Sequence, residues 1–159
     1  MSTAGTLEIT TPTDRDIAMS RVFNAPRRLV FEAYTKPELL KRWLGVFGKW
    51  SLDVCEIDLR VGGTFRYVWR DQAGKEMGMR GIYREIVRDE RIVSTETFDD
   101  PWYEGEALAT VTFVETAGRT TLTMTIRYDS KKTRDAILQS GMADGVGKSF
   151  DMLAGLLTT

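Results

Sequence analysis

Two hydrophobic periods take turns along this chain, and the switches between them predict its elements. Residues 15–23 (RDIAMSRVF) set Ile17, Met19 and Arg21 against Ala18, Ser20 and Val22, an imperfect first strand that Asn24-Ala25-Pro26 stops. Pro26 suits the first turn of a helix, and Leu29, Val30, Ala33 and Tyr34 follow at helical spacing. Thr35 with Glu38 three residues on has the form of a capping box. It predicts a second short helix through Leu39, Leu40 and Trp43.

The period then becomes two. In SLDVCEIDL (51–59) the alternation is weak, with Leu52, Val54, Glu56 and Asp58 against Asp53, Cys55, Ile57 and Leu59. In TFRYVWR (64–70) it is clear: Phe65, Tyr67 and Trp69 share one face, which predicts a half-buried strand with an aromatic inner side. The turn Asp71-Gln72-Ala73-Gly74 leads into MGMRGIYREIV, where Met79, Gly81 and Tyr83 share a face, so the two strands read as a hairpin. RIVSTETF (91–98) is a further strand, ended by Asp99-Asp100-Pro101. Next, Ala107, Ala109, Val111 and Phe113 alternate with Leu108, Thr110, Thr112 and Val114, and Thr116-Ala117-Gly118 turns the chain into TTLTMTIRY. There Leu122, Met124, Ile126 and Tyr128 face inward. About seven strands in an antiparallel meander are expected, in an α+β domain.

From Lys131 the spacing is helical again, with Met142, Val146, Phe150, Leu153 and Leu157 on one stripe, predicting a long amphipathic C-terminal helix. It carries Gly141, Gly145, Gly147 and Gly155, each costing about 1 kcal/mol relative to Ala in a helix interior. Either Gly141 separates two helices and the others permit close packing, or the glycines open space beneath the helix. Residues 1–13, rich in Thr with Gly and Pro, read as a flexible leader before one domain over 14–159.

The 159 residues are 42% hydrophobic and 28% charged, with 22 basic and 23 acidic side chains, a globular composition that favours no nucleic-acid surface. The absence of histidine excludes Ser-His-Asp and Cys-His catalysis and His-ligated metals. The lone Cys55 excludes an internal disulfide and multi-thiolate zinc, and is expected to be an inert thiol. No cofactor, metal, membrane contact or nucleic acid is expected, and with no apolar run of membrane length the chain is expected to be cytoplasmic, as a monomer or homodimer.

Four runs in order, VFNAPRRLVFEAYTKPELLKRWLG (22–45), EIDLRVGGTFRYVW (56–69), MRGIYREIVRDERIV (79–93) and SGMADGVGKSFDMLAGLL (140–157), resemble the START-like SRPBCC superfamily. Within it they are similar to bacterial homologues of the C-terminal domain of the activator of the 90-kDa heat-shock chaperone ATPase. The resemblance implies the helix-grip fold, a curved antiparallel sheet around a long C-terminal helix with an apolar cavity between them. That fold serves lipid carriers, receptors, cyclases and chaperone activators alike, so it does not by itself fix a function. One domain's length implies that the N-terminal domain with which the eukaryotic activator grips its chaperone is missing. The family's usual Gly-Trp-Gly on the long helix is replaced by Gly145-Val146-Gly147, a small aliphatic group in place of a ring.

The candidate ligand-binding residues are those on inferred inward faces, Phe65, Tyr67, Trp69, Met79, Tyr83, Phe98, Met124, Met142, Val146 and Phe150, together with Trp102. Rings and thioethers also fill ordinary cores, but the number of Tyr and Trp side chains with polar handles favours a cavity. Trp43, Phe47, Trp50, Trp102 and Tyr103 fall at helix ends and in loops, as a cavity mouth, a partner patch or loop packing. Among Glu56, Asp58, Glu85, Glu96 and Glu106, any acid truly buried would have its pKa raised and would serve as a proton carrier or a ligand's hydrogen-bond partner. Asp99-Asp100 beside Pro101 reads as a turn rather than a metal pair. A binding module for a small apolar or aromatic ligand ranks first. A regulator acting on a heat-shock chaperone or other protein ranks second, and an enzyme such as a cyclase or hydrolase third.

Overall fold

The period-two segments pair into one antiparallel sheet of eight strands, in a computed structural model that describes residues 5–101, 103 and 105–157. In chain order the elements are β1 (Glu8–Thr10), β2 (Asp16–Phe23), α1 (Arg27–Thr35), α2 (Pro37–Leu40), β3 (Ser51–Ile57), β4 (Thr64–Arg70), β5 (Glu76–Val87), β6 (Arg91–Phe98), β7 (Ala107–Thr116), β8 (Arg119–Arg127), α3 (Lys131–Leu138) and α4 (Met142–Leu157). The spatial order is β1-β2-β8-β7-β6-β5-β4-β3. Consecutive strands from β3 to β8 are neighbours, and the connection through α1 and α2 carries the chain from β2 to the far edge of the open, curved sheet. Helix α4 packs on β2, while α1 packs on β7, β8 and α4. This is the helix-grip arrangement.

The eighth strand lies within the segment read as a leader. Glu8–Thr10 pairs with β2, Ile9 opposite Met19, but all three residues are exposed and so leave no alternation to read. Strand β3 shows why its pattern is weak. Leu52 faces Trp69, Val54 faces Val68 and Cys55 faces Tyr67, so Asp53 is an extra residue that reverses the side-chain phase. Leu52 therefore points inward together with Cys55 and Ile57, not with Val54.

The capping box does not form. The Thr35 hydroxyl donates back to the Phe31 carbonyl at 2.8 Å, and α2 begins instead with Pro37 at its first position after Lys36. The C-terminal helical run is two helices, because Gly141 at φ +84° takes the left-handed conformation that ends the first. Ser130 caps α3 by accepting a hydrogen bond from the Thr133 amide at 3.1 Å.

The interior has a filled end and an open end. At the filled end Phe150 meets Phe23 edge-to-face, with centroids 5.7 Å apart, and lies 6.1 Å from Trp43. Trp43, Phe23, Phe113, Phe150, Leu122 and Leu153 are almost wholly buried there. The Trp43 indole N–H donates to the Ala33 carbonyl at 2.9 Å, so this ring, read from sequence as a helix-end or mouth aromatic, is a satisfied core residue. Asp151 of α4 pairs with the buried Arg21 of β2 at 2.6 Å and ties the helix to the sheet.

Candidate functional site: an apolar cavity under the C-terminal helices

At the other end the concave face of the sheet does not meet the helices. A cavity of about 670 Å³ lies between them, within the size range of small-molecule sites. Strand β4 supplies Phe65, Tyr67 and Trp69, whose rings pack as a ladder with centroids 4.8 Å and 5.8 Å apart. Strand β5 supplies Met79 and Tyr83, β6 supplies Ser94, Glu96 and Phe98, and β8 supplies Met124. Met142 and Val146, from the first turns of α4, form the roof with Ile137 of α3.

Among the candidates read from the sequence, Phe65, Tyr67, Trp69, Met79, Tyr83, Phe98, Met124, Met142 and Val146 are thus brought together on one wall or roof. Phe150 is not at this cavity. It is buried in the filled end, one turn beyond Val146, and borders only a side recess of about 430 Å³. Trp102 lies outside the described residues. Of the loop aromatics, Phe47 and Trp50 border the side recess and Tyr103 lines the main cavity, 5.7 Å from Tyr128. The side recess shares Tyr34, Leu44, Trp69, Met124, Met142 and Val146 with the main cavity, so the two adjoin. Met77, 43% exposed and lining both, marks the rim.

Gly81 keeps the floor open. A Cβ on it would lie 2.0 Å from the Thr95 carbonyl oxygen and 2.3 Å from the Phe65 ring, so no other residue lets Phe65 lie flat across β5. The Trp69 indole N–H donates to the Leu44 carbonyl at 2.9 Å and the Gly45 amide to Ser149 Oγ at 2.9 Å. Together they hold the loop after α2 between sheet and α4, which closes one side of the cavity.

The polar groups are few, and all five tyrosines of the chain are among them: Tyr34, Tyr67, Tyr83, Tyr103 and Tyr128. Burial raises the pKa of each hydroxyl, so they act as neutral donors and acceptors. The Tyr34 hydroxyl donates to Met124 Sδ at 3.6 Å. Among the described residues the lining holds a single ionisable acid, Glu96, and no Lys or Arg. Glu96 follows Ser94 and precedes Phe98 on the inward register of β6. It is half-buried by surface because the cavity admits water, yet burial away from bulk solvent pushes its pKa up from 4.5 to about 7. No charged neighbour among the described residues contributes to that shift.

Sequence reasoning named Glu96 among five strand acids without separating it from the rest. Its alternation with Ser94 and Phe98 was the available signal. Of the others, Glu56, Asp58, Glu85 and Glu106 are exposed, Glu85 pairing with Arg91 and Glu106 with Arg84. Asp99 is held by both Arg66, at 2.5 and 2.6 Å, and Arg80, at 3.1 Å. The Arg66 hydrogen bonds lower its pKa, so it serves the surface of the sheet. Among the described residues no group of three or more His, Cys, Asp or Glu side chains is placed to hold a metal ion, and no helix is long and apolar enough to cross a membrane. Cys55, half-buried on β3, has its thiol pushed up to about 11 by burial, which keeps it protonated.

A curved antiparallel sheet gripping a C-terminal helix over an apolar cavity defines the START-like class. The chain belongs to the family of activator of Hsp90 ATPase homolog 1-like proteins, whose model matches residues 24–158. A structure from Rhodobacter sphaeroides is 27% identical and covers 96% of this chain and 97% of its own, with a TM-score of 0.90. Protein CV1439 from Chromobacterium violaceum is 28% identical over 92% of this chain and 99% of that one, with a TM-score of 0.78. Ms6760 from Mycobacterium smegmatis, at 20% identity and a TM-score of 0.82 over 95% and 96% of the two chains, shows the shared fold. No curated protein matches significantly.

Proposed function

We propose that the chain is a small-molecule binding module that holds an apolar or aromatic ligand between sheet and C-terminal helices. The observation that carries this reading is the cavity itself, of about 670 Å³, walled by aromatic and thioether side chains with a small set of hydroxyls and one acid. An ordinary core would fill such a space, because each unfilled volume forfeits packing energy. The filled end of the same molecule, with Phe150 packed against both Phe23 and Trp43, supports the view that this sequence packs densely where density serves stability.

The uncharged probe N-phenyl-1-naphthylamine is expected to bind at about one per chain and to quench the fluorescence of Trp69, whose ring lines the cavity. Native mass spectrometry of gently purified protein is expected to reveal a stoichiometric small-molecule adduct. Absence of both saturable dye binding and any adduct defeats the proposal.

Family membership supports a second reading, regulation of a heat-shock chaperone ATPase through surface contacts. Its test is the ATPase rate of the purified 90-kDa chaperone with the chain in stoichiometric amount. Stimulation supports the regulator, and an unchanged rate removes it.

A further inference from the structure

Among the described residues, the charge inside the cavity has one sign and no partner. Glu96 is the sole ionisable acid among the described lining residues, which include neither Lys nor Arg, and no described residue donates a hydrogen bond to the Glu96 carboxyl or forms an ion pair with it. The groups that face this space are Tyr34 from α1, Tyr67 from β4, Tyr83 from β5, Tyr103 from the β6–β7 loop and Tyr128 after β8, with Ser94 and Ser140. All are neutral hydroxyls. Some cavity donors are already committed: the Trp69 N–H to Leu44 and the Tyr34 hydroxyl to Met124 Sδ.

We propose, resting on the ligand-binding reading above, that the cavity takes a molecule with an apolar or aromatic body and one protonated amine, seated with the cation against Glu96 among the tyrosines. A carboxylate enclosed by apolar walls attracts a cation far more strongly than one in water. Electron-rich rings around the site add to that attraction. An anionic ligand meets the opposite situation, a like charge and no basic residue. A neutral ligand fills the volume but leaves an ionised Glu96 without a counter-charge, so the amine holds the advantage wherever Glu96 is ionised.

The test uses three probes on one skeleton, 4-phenylbutylamine, 4-phenylbutan-1-ol and 4-phenylbutyrate, each displacing N-phenyl-1-naphthylamine from the wild-type chain. At pH 8 the amine is expected to displace the dye at a concentration at least tenfold below the alcohol, the difference of a charge-assisted over a neutral hydrogen bond being about 1.4 kcal/mol or more. The butyrate is expected to be weakest. Because the amine is protonated throughout, its affinity is expected to fall roughly tenfold per pH unit below pH 7 as Glu96 gains its proton, while the alcohol's stays nearly constant. Glu96→Gln is expected to abolish the amine's advantage over the alcohol, so that the two displace the dye at similar concentrations. The pH series on the unmodified protein gives an answer that does not depend on that variant folding. Equal displacement by amine and alcohol across the pH range, or an amine preference that survives Glu96→Gln in a folded variant, overturns the inference while leaving the binding module standing. Failure of the dye and of all three probes to bind overturns the inference, and the further absence of any adduct in native mass spectrometry removes the binding module as well.

Discussion

Glu96→Gln keeps the shape of the cavity acid and removes its charge, which turns burial into a measurable pH dependence of stability. Burial raises the Glu96 pKa from 4.5 to about 7, so the native state binds this proton more tightly than the unfolded chain does. Stability from this group is therefore fully present below about pH 4.5 and is lost as the pH rises to about 7, above which both states are ionised and the loss levels off. The displacement corresponds to at most about 3 kcal/mol, and water in the cavity reduces it, so a loss of roughly 2 kcal/mol between pH 5 and pH 8 is expected. Asp16, Asp99 and Asp135 have pKa values lowered by hydrogen bonds to Arg127, Arg66 and Lys131 respectively, so their contribution has the opposite sign and is lost as the pH falls. They are the same in both proteins and cancel in the difference. Urea unfolding at pH 5, 6, 7 and 8 is the assay. The two proteins should be nearly equal at pH 5, and the variant should be more stable by roughly 2 kcal/mol at pH 8, which for a chain of this length is about 4 to 8 °C in Tm. Parallel stability curves over this range would show that Glu96 has an ordinary pKa and is in contact with bulk water, and the electrostatic description of the cavity would be wrong.

Val146→Trp puts a large ring at a roof position facing both recesses, and it should shift Tm by no more than a few degrees while weakening dye binding at least tenfold. A loss of roughly 3 kcal/mol in urea unfolding with dye affinity intact would mean that this position is filled core. Gly81→Ala should lower stability by about 3 kcal/mol, because the new methyl meets the Thr95 backbone and the Phe65 ring; an unchanged denaturation midpoint would contradict the close approach of β5 to Phe65. The Cys55 thiol, pushed up to about 11, should react with an aromatic disulfide reagent at pH 8 on the order of 100-fold more slowly than free cysteine, and a rate near the free thiol's would place Cys55 at the surface.

Much of the cavity wall was legible because a strand with one apolar face announces it at a period of two. Phe65, Tyr67 and Trp69 on β4, and Met124 on β8, needed nothing beyond that alternation to be assigned inward. The weak reading of β3 has a definite cause in the bulge at Asp53, since one extra residue exchanges the two faces and no composition rule locates it. Strand β1 was invisible because none of its residues is buried. Phe150 was assigned to the cavity for the opposite reason. It shares a helical stripe with Met142 and Val146, and a stripe records direction but not what stands across from it. Phe23 and Trp43, distant in sequence, fill the space opposite Phe150, whereas the sheet curves away beneath Met142 and Val146.

The same contrast explains how an unfilled interior is tolerated. Over its second half α4 buries Phe150 and Leu153 against Phe23 and Trp43 and is pinned to β2 by the Arg21–Asp151 pair, while its first half rests on a cavity and begins just after the left-handed Gly141. Fully burying a Phe or Leu side chain contributes about 1.5 to 3 kcal/mol, so the few residues at the filled end hold the helix on the sheet without help from the other end. Forfeited contacts over the cavity then weaken only the α3–α4 junction and the first turns of α4. An ionised Glu96 adds to the same local cost in the empty protein. A cationic guest would remove that cost on binding, so the group that lowers stability at neutral pH is also the one best placed to select what enters.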